Sequence, residues 1–101
     1  MSTSTDESAM SGKRALLLAA GDQVAIVLES VSANDNVDVR DQGNTIRLIA
    51  SESIQRFHKI ALVDLLVGDP VVRDGYVIGV VTRAVHAGEW VHIHNLKSQR
   101  A

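Results

Sequence analysis

Asn36-Val37-Asp38-Val39-Arg40-Asp41-Gln42-Gly43-Asn44-Thr45-Ile46-Arg47-Leu48-Ile49 alternates apolar with polar residues on both sides of a glycine. Side chains two apart on a strand leave the same face, so this period of two marks a pair of half-exposed strands. With Gly43-Asn44 as turn chemistry, residues 36–49 read as a hairpin with its loop at 41–44. The same signals recur along the chain. Residues 23–29 are rich in Val and Ile, which suits a buried strand, and Asn34-Asp35-Asn36 is a turn. Pro70 opens a strand through Val71 and Val72, and Asp74-Gly75 turns it into the apolar run Tyr76–Val81. Gly79 inside that run predicts a bulge or a close backbone contact. Ala87-Gly88-Glu89 turns into a last strand, Trp90–His94.

Two stretches read differently. Ala15-Leu16-Leu17-Leu18-Ala19-Ala20 is a short apolar run stopped by Gly21-Asp22. Between Ile60 and Leu66, the near-helical spacing of Ile60, Ala61, Asp64 and Leu65, with Gly68 as a stop, predicts a short helix. Short strands with turns every eight to twelve residues, plus one or two helical turns, give a compact, mostly-β domain. Residues 1–13 read as a disordered tail and 14–101 as the domain. No internal repeat stands out.

At 101 residues the chain is one domain, and aliphatic side chains must carry its core, since it has one Trp, one Tyr and one Phe. Ten basic against twelve acidic residues leave no basic stripe, and with few aromatics to stack bases, nucleic acid is not an expected partner. No apolar run approaches the roughly 18 residues of a membrane span, and the polar, acidic N-terminus does not resemble a secretory signal, so no membrane partner and a cytoplasmic location are expected. Zero cysteines exclude disulfides and thiolate metal sites.

Three of the four histidines fall in two segments, Phe57-His58-Lys59 and Trp90-Val91-His92-Ile93-His94-Asn95. If the second is a strand, Trp90, His92 and His94 share one face, opposite Val91 and Ile93. Such histidines can hydrogen-bond a carboxylate or hydroxyl, or move a proton near neutral pH. They equally suit a strand that presents polar side chains to water or to another subunit. His58 and Lys59 can offer two donors to an anion, or stand as a solvated loop pair. Asn95 can orient a histidine or end the strand. Trp90 can shield a pocket, stack on a sugar face or fill a subunit contact. His86 reads as an exposed turn residue. Two histidines without a nearby third ligand make a weak metal site, so no metal is assigned to these residues.

The ordered series His58-Lys59-Ile60-Ala61-Leu62, Asp64, Gly68-Asp69, Val72, Gly75, Ile78-Gly79, Gly88-Glu89 and Val91-His92-Ile93-His94-Asn95, led by Asp22 and Val24-Ala25, resembles the SAF-type (β-clip) domain of altronate and galactarate dehydratases, found also in sulfolactate sulfo-lyases. The resemblance covers about residues 14–97. It implies a β-clip fold and a part in eliminating water or sulfite from a small acid. In that family the domain is either the start of a long chain or a separate small subunit. The resemblance therefore implies a larger dehydratase subunit as partner, carrying most of the catalytic machinery and a divalent metal such as iron, with no cofactor in this chain. It also implies that His92 and His94 act in catalysis, and that His58, Lys59 and Asn95 bind a sugar-acid substrate. A non-catalytic sugar-acid-binding or assembly module is the alternative, and the short strands leave edges that can pair into a homo-oligomer. The chain departs from the family pattern at five places: Ala19 and Trp90 stand where histidines are usual, Gln23 for Asn, Phe57 for Gly and Asp74 for Tyr.

Overall fold

A computed structural model describes residues 12–98. Nine strands follow in chain order: β1 (Lys13–Leu16), β2 (Val24–Val27), β3 (Asn36–Asp41), β4 (Asn44–Ile49), β5 (Lys59–Ala61), β6 (Pro70–Arg73), β7 (Tyr76–Val81), β8 (Trp90–Val91) and β9 (Leu96–Ser98). They form a six-stranded sheet, β4-β3-β1-β2-β5-β8, and a three-stranded sheet, β6-β7-β9. The fold is mostly β, consistent with a β-clip. The disordered tail expected at the N-terminus falls largely on residues 1–11, outside the described part; Lys13 already belongs to β1.

Both hairpins read from the sequence form. β3 and β4 pair in register from Asn36↔Ile49 to Asp41↔Asn44, around Gln42 (φ 48) and Gly43 (φ 94). β6 and β7 close at Arg73↔Tyr76 around Asp74 (φ 55) and Gly75 (φ 79). Two consecutive positive φ values are the mark of the two-residue turn whose twist matches that of the strands it joins. Val37 and Val39 are fully buried while Asp38 faces Arg47 across the pair, with Nε–Oδ1 at 2.7 Å. That guanidinium holds the Asp38 carboxyl below its usual range. Opposite Gly79 the β6–β7 register slips. A Cβ on Gly79 would lie 2.4 Å from the Lys97 carbonyl oxygen, so the missing side chain is what lets β9 approach β7.

The larger organising feature is a repeated unit that the sequence does not display. Four buried aliphatic residues, Val31, Ile54, Leu65 and Val85, each form an isolated antiparallel bridge, Val31 with Ile54 and Leu65 with Val85. Three residues after each stands a positive-φ residue: Asn34, Phe57, Gly68 and Gly88. The two pairs share one bonding scheme. Asn34 N donates to Ala50 O and Phe57 N to Val27 O; correspondingly, Gly68 N donates to Val81 O and Gly88 N to Ala61 O. Ala50 N then donates to Asp35 O, Val27 N to His58 O, Val81 N to Asp69 O and Ala61 N to Glu89 O. Each pair is two bent segments clasping each other about a local two-fold. The turn is stapled in three of the four units by the residue after the positive φ. Asp35 accepts from Ser32 N, Asp69 from Leu66 N and Glu89 from His86 N. The fourth unit has His58 at that place.

These units explain the departures from the sequence reading. No helix forms at residues 60–66, nor anywhere among the described residues. Lys59–Ala61 is instead β5, paired with β2 and β8, and Leu65 bridges Val85. Pairing on both edges of β5 satisfies backbone groups that a helix would have bonded internally, and it outweighs a weak helical spacing. Of the apolar run at 15–20 only Ala15 is fully buried, and the strand ends at Leu16. The last strand also ends early: β8 stops at Val91, and residues 92–95 form a turn closed by Asn95 N on His92 O at 3.0 Å.

Two cores result. One gathers Ala15, Ala25, Val27, Val31, Val37, Val39, Ala50, Ile54 and Ile60; the other gathers Val24, Ala61, Leu65, Val71, Val81, Val85 and Val91. Neighbouring residues divide between them, Val24 from Ala25 and Ile60 from Ala61, so β2 and β5 are covered on both faces. Asp22 ties the two parts together. Its buried carboxylate accepts from Ala19 N, Asp74 N and Gly75 N, and Gln23 Oε1 accepts from Val72 N.

Gly68 and Gly88 occupy equivalent places, yet a Cβ on Gly68 meets open space while one on Gly88 would lie 2.3 Å from Ile49 O. Gly68→Ala is therefore expected to lower stability by about 1–2 kcal/mol, the left-handed penalty alone. Gly88→Ala is expected to lose a further ~1–3 kcal/mol from the clash. Chemical denaturation of the two variants checks this, and equal losses would remove the packing argument.

Candidate functional site

β5 sits between β2 and β8, and this position brings Lys59 and His58 beside Trp90 and His92. Lys59 pairs with Ile26 on one side and Val91 on the other. His58 precedes it at the one turn that has lost its stapling acid. A carboxylate there would bond its own turn; the imidazole instead packs against Trp90 and His92, with ring centroids 5.7 and 4.8 Å away. Trp90 Nε1 donates to His58 Nδ1 at 3.1 Å. Accepting at Nδ1 places the neutral ring's proton on Nε2, so His58 offers a donor at its far nitrogen.

Trp90, His92 and His94 do come together, but not by strand alternation. The turn at 92–95 folds both histidines back over the indole. His92 stacks on it at 5.1 Å and 12°, and His94 tilts against it at 4.8 Å. Val91 and Ile93, expected on one face, part company: Val91 is buried, whereas Ile93 is 83% exposed at the turn's tip. Asn95 makes this turn. Buried, it accepts from His92 N at Oδ1 and donates from Nδ2 to Trp90 O, so both ends of its amide are spent on backbone. Glu52 accepts from Trp90 N, completing the hold on β8. His86 lies apart and exposed, 3.7 Å from Asp64.

Beside this cluster opens a cleft of about 420 Å³ lined by Lys59, Arg73, Val77, Ile78, His92, Ile93, Leu96 and Ser98. Arg73 was not among the residues expected from sequence. Its Nε is buried without an acceptor, a state that costs about 1–3 kcal/mol when nothing pairs with the donor. A signal for it did exist: Arg73 lies two residues beyond Val71 on β6, hence on the same face as a fully buried valine.

The electrostatics are of one sign. Burial, then the charge of Arg73, lowers the Lys59 ammonium from its usual 10.5. Burial, then His58, Lys59 and His94, lowers His92 from 6.5. This lowering favours the neutral form of His92 near pH 7, beside Lys59 and Arg73, which form no ion pair among the described residues. Such a site favours an anion and can accept a proton from it. As for metals, among the described residues no group of three or more His, Asp or Glu side chains is placed to hold an ion. His58, His92 and His94 do not fit as ligands of the divalent metal implied by the resemblance.

The comparisons agree with this architecture. Residues 13–99 match the family described as the altronate/galactarate dehydratase SAF domain. The chain belongs to that family. It is 34% identical over 77 residues to (2R)-sulfolactate sulfo-lyase subunit alpha of Chromohalobacter salexigens, covering 74% of this chain and 82% of that one. It is also 34% identical over 77 residues to altronate dehydratase of Escherichia coli, but there the match spans 76% of this chain and only 15% of the relative. The Bacillus subtilis altronate dehydratase is 34% identical over 53 residues, 52% of this chain and 11% of its own. The relatives are lyases, one a separate small subunit and two much longer chains.

Because His92 is lowered in the folded state, the unfolded chain binds more protons between that lowered value and 6.5. Stability is therefore complete above 6.5 and declines as pH falls below it. Melting temperature is expected to drop from pH 7 to 5, and to drop less in His92→Asn. An NMR titration of the His92 ring should give a midpoint below 6.5; one at or above it would contradict the clustered geometry.

Proposed function

We propose that this chain is the small subunit of a sugar-acid hydro-lyase or a related lyase, acting on a small hydroxy acid at a site completed by a larger subunit. The observation that carries this reading is the one-signed cleft beside the histidine cluster: Lys59, Arg73 and His92 line it with no acidic side chain among its lining residues, and His58 packs behind His92. A carboxylate entering it meets Lys59 as a point charge, and in this reading His58, beside His92, offers its Nε2–H at the edge of the cleft. His92, kept neutral by its surroundings, and the exposed His94 stand where a proton can pass to or from the acid. Asn95 acts one step back, fixing the turn that carries both histidines.

Removing the proton beside a carboxylate builds negative charge on its oxygens, and cations held in place beforehand stabilise that charge without reorganising. This reading leaves the acid for the leaving group and the metal to the partner: Glu52, whose carboxylate reaches Trp90, accepts from its backbone N, and among the described residues no group of three or more His, Asp or Glu side chains is placed to hold an ion. The larger subunit supplies those parts in this reading, including the divalent metal implied by the family resemblance. The chain thus provides anion binding and proton transfer for an elimination that its partner completes, and the assembly is expected in the cytoplasm.

Affinity purification of the tagged chain from its host should recover a stoichiometric larger protein of the dehydratase family. Turnover of the resulting complex on altronate, galactarate and sulfolactate is then expected to fall by at least about tenfold in His92→Ala with His94→Ala. Unchanged turnover with intact assembly would rule out the proton-transfer role. A melting shift with sugar acids, with no larger protein recovered and no turnover, would point to a binding module instead.

A further inference from the structure

Lys59 is held unlike an ordinary surface lysine. It lies half-buried on β5, with Ile26 beside it on β2 and Val91 on β8, and it forms no ion pair among the described residues. The charged and titratable groups around it are Arg73 in the same cleft, His92 on the turn after β8 and His58 next in the chain, and no acidic side chain lines the cleft. A guanidinium does not give up its proton, so Arg73 is a fixed positive neighbour. Burial and that fixed charge both work against the ammonium form of Lys59. Desolvation and a neighbouring cation are the two conditions that turn a lysine into a nucleophile. A lysine kept only as a point charge would gain from an acidic neighbour, and the cleft gives it none.

We propose that Lys59 is a covalent site: its amine forms an imine with a small α-keto acid, and His92 carries the protons between the amine and the departing oxygen. This deepens the lyase reading and rests on it only for the source of the carbonyl. When a 2-hydroxy acid loses the proton beside its carboxylate and the leaving group next to it, an enol remains. That enol takes a proton at its far carbon and becomes a ketone beside the carboxylate, in reach of the cleft where it was made. The ammonium meets the acid first, and the neutral fraction of the same amine attacks the ketone. The Nζ lone pair bonds the carbonyl carbon and the C=O π pair moves onto oxygen. His92 relays one proton from the nitrogen to that oxygen, giving the carbinolamine. The nitrogen lone pair then expels the hydroxyl, which leaves as water with the nitrogen's second proton, again relayed by His92. One amine and one carbonyl become one imine and one water, with no change of oxidation state. Val77, Ile78 and Leu96 line the same cleft and thin the water that would hydrolyse the imine.

The test treats the full chain with pyruvate and sodium cyanoborohydride, which reduces an imine to a stable adduct that peptide mass spectrometry assigns to its lysine. At pH 7, Lys59 is expected to be labelled at least about fivefold faster than Lys97, which lies exposed on β9. Unfolding in guanidinium chloride should erase that difference, because burial and the approach of Arg73 are lost with the fold. Arg73→Gln should slow Lys59 labelling by about twofold or more at pH 7 and move its pH profile upward, a shift that loss of packing alone does not produce. His92→Asn should slow it by at least about threefold. Melting temperatures of both variants are compared with the parent's, and if either variant melts early the parent's two comparisons decide. Labelling of Lys59 no faster than Lys97, or a preference that survives unfolding, overturns the proposal. So does an unmoved pH profile in a folded Arg73→Gln, and an unchanged rate in a folded His92→Asn removes the proton relay. Failure of the lyase reading is separable. A chain that joins the larger subunit and supports turnover without preferential labelling sinks the covalent site alone. A chain labelled selectively at Lys59 that never assembles keeps the site and sinks the lyase reading.

Discussion

The structure depends on the paired bridge-and-turn unit. Val31 with Ile54, and Leu65 with Val85, each join two bent segments through reciprocal backbone bonds, and each segment reverses at a positive-φ residue. With few aromatics and, among the described residues, no helix and no strand longer than six residues, the fold has little else with which to close a core. The clasp solves this by satisfying backbone donors and acceptors at the same points where buried Val, Ile and Leu side chains meet. The strands between clasps can then be very short, two or three residues in β8 and β5, because their ends are already fixed.

The same device locates the site. Three of the four turns spend an acid on stapling themselves. The fourth has His58, which is released to meet Trp90 and His92. It also has Phe57 in a left-handed conformation (φ 72) with its ring exposed under the Arg56 guanidinium at 4.4 Å. A bulky residue at positive φ is unfavourable by roughly 1–2 kcal/mol. The turn least optimised for stability is therefore the one that borders the basic cleft, a pattern common where a site imposes its own demands. Trp90, at a place where the family resemblance implies a histidine, does not empty the cluster of polarity, since its indole N–H bonds His58.

How much was legible can be seen residue by residue. The two hairpins were readable because period-two alternation and the turns at Gly43 and Asp74-Gly75 are local signals, written within a few residues. Gly79 was readable as a close contact for the same reason. The helix expected at 60–66 failed because strand partners for Ile60 and Ala61 come from positions far along the chain. The grouping of Trp90, His92 and His94 was anticipated on a strand, yet a turn produces it, and Asn95 proves to be the residue that shapes that turn. The repeat stayed hidden because its four turns use different residues at both key places: Asn34, Phe57, Gly68 and Gly88, then Asp35, His58, Asp69 and Glu89. What repeats is backbone bonding, which leaves only a lone aliphatic anchor in the sequence.

The sequence by itself determined the fold class, the family and most of the cluster's membership, since alternation, turn chemistry and the ordered motif from Asp22 to Asn95 are all carried by residue order. Only the tertiary structure decided that Arg73 faces Lys59 across one cleft, that Asn95 is spent on backbone, and that His92 is held neutral among like charges. Those facts depend on distance and burial, which arise when residues 14 to 33 positions apart, as Lys59, Arg73 and His92 are, pack together. No local pattern records them.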